Sequence, residues 1–125
     1  MAGAYARLSG GLGVAIASNG PGVANALPGV AVENAEGNRV LLITSSRRTG
    51  ITYPDRGGSY QYFDQVGVIR PMAKWSESAA SADRIPELFR AALRAAWTGR
   101  PGVVHLDVPE NLINGPCAEP ILRPP

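Results

Sequence analysis

The sequence predicts a three-layer α/β/α domain built on an open parallel sheet, and three observations carry that reading. Short apolar runs rich in β-branched residues occur at residues 13–17, 39–44 and 103–108, each the length of a buried strand. Longer stretches with apolar residues at helical spacing lie between them, and strands that alternate with helices pair in parallel through right-handed crossovers. Glycine, proline and serine punctuate the junctions. At 125 residues and 45% hydrophobic composition, the chain is long enough to bury one core.

In chain order, residues 1–9 read as the last turns of a helix, stopped by Gly10 and Gly11. Residues 13–17 follow as a strand expected to be buried. Ser18-Asn19-Gly20-Pro21-Gly22 then turns the chain into a helix over residues 22–36. Ser18 or Asn19 can cap it, and Pro21 falls in the first turn, where a missing N–H breaks no helical hydrogen bond. Val23, Ala26, Leu27, Val30 and Ala31 give its apolar face. Pro28 predicts a bend or a helix restart, since an unrelieved interior proline costs about 3 kcal/mol. Residues 39–44 form the second strand, bounded by Gly37-Asn38 and Ser45-Ser46. A polar loop spans residues 46–60, and Arg70-Pro71 introduces a third strand over residues 72–75.

The next helix has the clearest pattern. Ser81 or Asp83 is the expected cap, Pro86 and Glu87 occupy the first turns, and Ile85, Leu88, Phe89, Ala92 and Ala96 share one face. Gly99 ends it and Arg100-Pro101 prevents its continuation. Residues 103–108 form the fourth strand. Beyond it, five prolines between Pro109 and Pro125 mark linker composition, which gives a domain over residues 1–112 and a tail over 113–125.

Composition excludes several function classes. The formal net charge is only +2 with scattered basic residues, so no nucleic-acid partner and no membrane surface is indicated. The apolar runs are too short to span a bilayer, and Met1 is not followed by a signal core. The single cysteine, Cys117, forms no internal disulfide, which makes the cytoplasm the expected compartment. His105, the one histidine, lies in an apolar run and reads as a packed residue, because a metal site needs several convergent ligands.

The Gly20-Pro21-Gly22 turn is the main chemical candidate. A strand, a tight glycine turn and a helix start mark the place where open α/β sheets bind ligands. A strand-to-helix turn with no ligand has the same spelling. In the loop, Arg47, Arg48 and Arg56 could hold an anionic substrate group, or simply be solvated.

Read together, Met1-Ala2-x-x-Tyr5-Ala6-Arg7, Gly20-Pro21-Gly22-x-x-Asn25, Leu42-Ile43-Thr44, Tyr60-Gln61, Gly67-x-x-Arg70-Pro71-x-x-Lys74 and Thr98-Gly99-Arg100-Pro101-Gly102 carry a resemblance. In order and spacing they resemble the pyrimidine-binding domain of thiamine diphosphate-dependent enzymes, closest to the acetolactate synthase large subunit. The match runs from residue 1 to about residue 112. The resemblance implies that the domain holds the aminopyrimidine of thiamine diphosphate at a dimer interface, within a homo-oligomer or against a full-length homologous subunit. Mg²⁺ and the phosphates would sit on the partner's diphosphate-binding domain rather than on this chain. By the same resemblance Gly20, Pro21, Gly22 and Asn25 contact the cofactor, Gln61 points toward the reacting carbons, and the cofactor carries 2-oxo acid decarboxylation and carboligation.

The departures from the family pattern bear on function as well. Family members protonate the pyrimidine ring with a glutamate a few residues before the Met-Ala-x-x-Tyr-Ala-Arg motif. Here that motif starts at Met1, and no acidic residue precedes Glu33. The resemblance therefore implies a fragment incomplete at its N-terminus, lacking the family's first strand and leaving a hydrophobic edge or gap, with no activity alone. Ser46, Tyr60 and Tyr62 stand where many synthases have glutamine, phenylalanine and glutamate. Oxalyl-CoA, 2-hydroxyacyl-CoA or another 2-oxo acid decarboxylation stays open as the parent chemistry, as does a non-catalytic interaction module. A nicotinamide-binding domain fits poorly, because Gly10, Gly11 and Gly13 precede the first strand instead of following it.

Overall fold

In the computed structural model, residues 1–51 and 59–116 are described, and they form a four-stranded, wholly parallel sheet with helices on both faces. The strands are β1 (Gly13–Ala17), β2 (Val40–Ser46), β3 (Trp75–Ser78) and β4 (Val103–Pro109), in the order β1-β2-β4-β3. The helices are α1 (Ala2–Ser9), α2 (Pro21–Glu36), α3 (Gln65–Ile69), α4 (Ile85–Trp97) and a single turn, α5 (Glu110–Ile113). The expected boundary after residue 112 lies within α5.

Alternation along β2 builds the two apolar layers, because successive side chains of a strand point to opposite faces. Val40 and Leu42 pack with Val23 and Val30 of α2, Ile69 of α3 and Val103, while Ala2 of α1 joins from the rim. Leu41 lies on the other face with Val104 and with Ala92 and Ala96 of α4. β4 runs between β2 and β3, and all seven of its residues are buried. The amphipathic pattern of α4 thus covers one face, and α1, α2 and α3 cover the other.

Several expectations are corrected. β1 is an edge strand rather than a buried one, with Val14 53% and Ile16 79% exposed. Their side chains lie on the α4 face, and α4 packs over β2 and β4 without reaching them. An apolar cleft beside them is lined by Ile16, Ile43, Val108 and Ile113. The third strand begins at Trp75, because Arg70, Pro71 and Met72 continue α3 as a 3-10 turn. The stretch leading into it, residues 65–69, is itself a helix, capped by the Asp64 carboxylate on the Gly67 amide at 2.8 Å.

The expected caps also differ. Gly20, not Ser18 or Asn19, stands at the N-cap of α2, and no side chain caps it. The Val23 amide is met by the Ser18 backbone carbonyl at 3.0 Å, and the Asn19 amide goes to Ser45 Oγ at 3.1 Å. Before α4, Ser81 precedes a 3-10 turn over Ala82–Arg84 and makes no cap hydrogen bond, so neither Ser81 nor Asp83 caps the helix. α2 runs through Pro28 without a restart. Pro28 is exposed, and Val23, Leu27 and Val30 pack on both sides of it, which holds the helix together across the missing hydrogen bond.

Long polar side chains tie the amino-terminal end of the sheet. Arg39 lies 3.8 Å over the Trp97 ring and donates to the Ala96 carbonyl at 3.0 Å. Arg100 donates to the Asn34 and Ala35 carbonyls at the end of α2, and Asn34 Oδ1 accepts the Val103 amide at 3.1 Å. The last turn of α2 is thereby locked to the start of β4.

Candidate functional site

At the carboxyl end of the sheet, the chain leaves β1 and enters α2 through Gly20. This residue has φ +65°, and a Cβ there would lie 2.5 Å from Gln61 Cα. Only glycine satisfies both constraints, the left-handed φ and the backbone contact. The close approach brings Gln61, 41 positions away in the sequence, against the turn. Gly20 is buried, Gly22 and Gln61 are half-buried, and Pro21 and Asn25 are exposed on the same turn. Gln61 is thereby brought to the start of α2, where Gly20, Pro21, Gly22 and Asn25 follow one another in sequence.

Beneath the turn lies a polar network that the sequence reading did not find. The Gly20 amide donates to Gln65 Oε1 at 3.0 Å, and Gln65 Nε2 donates to the Ser45 carbonyl at 2.8 Å and to Asp107 Oδ1 at 2.9 Å. Asp107, 2% exposed, also accepts from Thr44 Oγ1 on Oδ1 at 2.8 Å, and from Ser46 Oγ and Ser78 Oγ on Oδ2 at 2.7 and 2.8 Å. Four donors occupy the four lone-pair sites of one carboxylate, so a buried charge is met entirely by neutral dipoles.

His105 extends this network inward. Its Nε2 lies 2.8 Å from Thr44 Oγ1 and its Nδ1 2.8 Å from Ser76 Oγ. The single Thr44 proton is directed at Asp107, so Thr44 accepts from His105 Nε2–H. Nδ1 then accepts the Ser76 hydroxyl. One ring proton and one lone pair describe a neutral imidazole. Burial agrees with this, pushing the His105 pKa down to about 4 against the opposing charge of Asp107. His105 is a packed, hydrogen-bonded residue, and among the described residues no group of three His, Cys, Asp or Glu side chains could hold a metal ion.

Arg47 and Arg48 lie elsewhere. They line a cleft of about 410 Å³ at the carboxyl ends of β2, β3 and β4, with Ser46, Gln65 and Ser78 among its other walls. Arg47 Nη1 pairs with Glu110 at 3.1 Å, and its Nε is buried with no hydrogen-bond partner among the described residues. Arg70 shares the cleft, but so do Asp64, Glu77 and Asp107, so the described lining is balanced in charge. Arg56 lies outside the described residues.

Asp107 has a partial signal in the sequence, and Gln65 has none. Asp107 is the one charge inside an apolar strand, and Thr44-Ser45-Ser46 closes another apolar strand with three hydroxyls. A buried charge needs partners, but their identity depends on long-range register. Thr44 stands opposite Asp107 in β4, and Ser78 opposite it from β3.

The residues present suit the flat end of an aromatic cofactor. Gly22 leaves half-buried backbone without side-chain bulk, Gly20 beside it is buried against Gln61, and Pro21 and Asn25 are exposed. Residues 1–68 match the family model described as thiamine pyrophosphate enzyme, N-terminal TPP binding domain. The chain is 36% identical over 111 residues to the probable acetolactate synthase large subunit of Methanocaldococcus jannaschii, covering 89% of this chain and 18% of that protein. It is 31% identical over 119 residues to the catabolic acetolactate synthase of Raoultella terrigena, covering 94% of this chain and 21% of that one. With the acetolactate synthase isozyme 3 large subunit of Escherichia coli the identity is 32% over 114 residues, 91% of this chain and 19% of that protein. The chain thus spans about a fifth of the length of these relatives. It belongs to the thiamine pyrophosphate enzyme family, through that family's N-terminal TPP binding domain.

Proposed function

We propose that this chain contributes the aminopyrimidine-binding half-site of a thiamine diphosphate-dependent enzyme of the acetolactate synthase type. The observation that carries the reading is the close approach of Gln61 to Gly20, which sets Gln61 against the turn that carries Pro21 and Gly22 and opens the helix bearing Asn25. The backbone of Gly22 would lie against the ring with Gly20 setting the turn beneath it, Pro21 would give it an apolar wall, and Asn25 and Gln61 would offer amide groups at its edge. The cofactor, when bound, supplies the chemistry of 2-oxo acid decarboxylation and carboligation. The chain's own part is to bind and orient the ring and to exclude water from one side of it.

The acid that would exchange a proton with the ring is expected from outside the described residues. Glu33, the first acidic residue, lies thirteen positions after Gly20 on α2, about 20 Å along the helix at 1.5 Å per residue, and accepts from Asn38 Nδ2 there. Asp107 is saturated by four donors, Asp64 accepts the Gly67 amide and Glu110 pairs with Arg47. Mg²⁺ and the diphosphate would be held by another domain, on a second copy or a longer homologous subunit. The uncovered apolar side chains of β1 support an association of that kind. The carboxylate of a 2-oxo acid, or an acyl-CoA, is the anionic group that Arg47, Arg48 and Arg56 would face, and the cytoplasm is the compartment this chemistry and the single cysteine suit.

Calorimetry tests the half-site. The chain alone should show no Mg²⁺-dependent thiamine diphosphate binding and no pyruvate consumption. Tight Mg²⁺-dependent binding or turnover by the chain alone would overturn the assignment of half a site and require a complete one.

A further inference from the structure

The Gly20–Gly22 turn has no cap of its own, and its location is set from below. Of its backbone groups, the Gly20 amide points into the protein, to Gln65 Oε1 at 3.0 Å. Gln65 is 4% exposed and lies at the start of α3. Its amide is fully oriented. Oε1 accepts from Gly20, and Nε2 donates both to the Ser45 carbonyl at 2.8 Å and to Asp107 Oδ1 at 2.9 Å. The two donor bonds fix which end of the amide is oxygen, because a flipped amide would set Oε1 against a carboxylate and a carbonyl.

We propose that Gln65 is the positioning residue of the Gly20 turn, and that Asp107 holds Gln65 in that task. The chain of contacts runs from β4 to the turn: Asp107, Gln65, Gly20. Asp107 is in turn held by hydroxyls from β2 and β3, so the carboxyl ends of three strands set the height and angle of the turn above the sheet. Neither residue touches the surface formed by Pro21 and Asn25. They act through the Gly20 backbone, and the functional meaning of this rests on the reading of the turn as an aminopyrimidine wall.

Amide hydrogen exchange of the full chain, followed by NMR, tests the proposal. Gln65→Met removes the acceptor at nearly constant volume. The Gly20 amide should then exchange about tenfold faster relative to the Leu41 and Val104 amides of the sheet, as expected for the loss of one net hydrogen bond. A residue that only supported global stability would change all three amides together. Gln65→Glu keeps an acceptor for Gly20 but sets a second carboxylate against Asp107, and it should also lose Gly20 protection. Combining it with Asp107→Asn restores a donor–acceptor pair at that contact but leaves a carboxylate oxygen against the Ser45 carbonyl, so the Gly20 ratio should recover in part, to a value between those of the single variant and wild type. If Gln65→Met fails to fold, the Gln65→Glu single and double variants decide the matter.

An unchanged Gly20 ratio in the Gln65 variants, or a double variant no better than the single, would overturn the positioning role. Titration of the wild-type chain with the hydroxymethyl aminopyrimidine portion of thiamine bears on the cofactor reading separately. Absence of shifts at the turn would overturn that reading while leaving the exchange result intact.

Discussion

Acidification should destabilise this protein through His105. His105 has no exposed surface and both ring nitrogens are engaged, one donating to Thr44 and one accepting from Ser76. Burial lowers its pKa from 6.5 to about 4, with Asp107 opposing the fall. The folded state therefore resists a proton that the unfolded chain accepts. Between pH 6.5 and about 4 the unfolded chain binds more protons, so stability falls as pH falls. Above pH 6.5 both states are neutral and the contribution is fully present; below about 4 both are protonated and the loss is complete. Each tenfold change in proton affinity is worth about 1.4 kcal/mol, which puts the total near 3 kcal/mol.

Urea denaturation at a series of pH values reads this directly. His105→Gln removes the titration while keeping an amide that can donate to Thr44. Wild type should lose stability steeply between pH 6.5 and 4.5, and the variant should show a much flatter dependence over the same interval, whatever its stability at pH 7. Parallel slopes for the two proteins would contradict a neutral His105 at the base of the network.

Other substitutions probe separate parts of the account. Gly20→Ala forces a side chain into a φ of +65° and against Gln61 Cα, and should lower unfolding free energy by about 2–3 kcal/mol in urea denaturation. Leu41→Ala, in the layer beneath α4, should cost about 3 kcal/mol, whereas Ile16→Lys on the exposed edge of β1 should change stability by no more than about 0.5 kcal/mol. Arg39→Met removes the cation over Trp97 and a hydrogen bond to the end of α4; a cost of about 1–2 kcal/mol and a changed tryptophan fluorescence are expected.

Local chemistry made much of the fold legible. β1 was readable in full from its apolar run, β2 and β4 were found to within two residues at their carboxyl ends, and α4 followed from its periodic face and Gly99. The third strand was misplaced because Met72 and Ala73 look apolar enough for a sheet, while the proline before them continues a 3-10 turn. The burial expected of β1 fails because apolar content does not say how many neighbours a strand has; the strand order does. At the site, Gly20, Pro21, Gly22 and Asn25 are local in sequence, and the close approach of Gln61 agrees with their grouping by motif. Gln65, Asp107 and the hydroxyls around them were not read. Asp107 stands out only as a charge in an apolar strand, and the others are ordinary polar residues until the parallel register sets Thr44 and Ser78 on either side of it.

The claim that matters most is that the Gly20-Pro21-Gly22 turn is one wall of an aminopyrimidine site. It is tested most directly by titrating the isotopically labelled chain with the hydroxymethyl aminopyrimidine portion of thiamine and following backbone amide and Asn and Gln side-chain resonances. Saturable shifts concentrated at Gly20, Gly22, Asn25 and Gln61, and weakened by Gly20→Ala, are the result predicted. No saturable shift, or shifts confined to the Arg47 and Arg48 cleft, would contradict it.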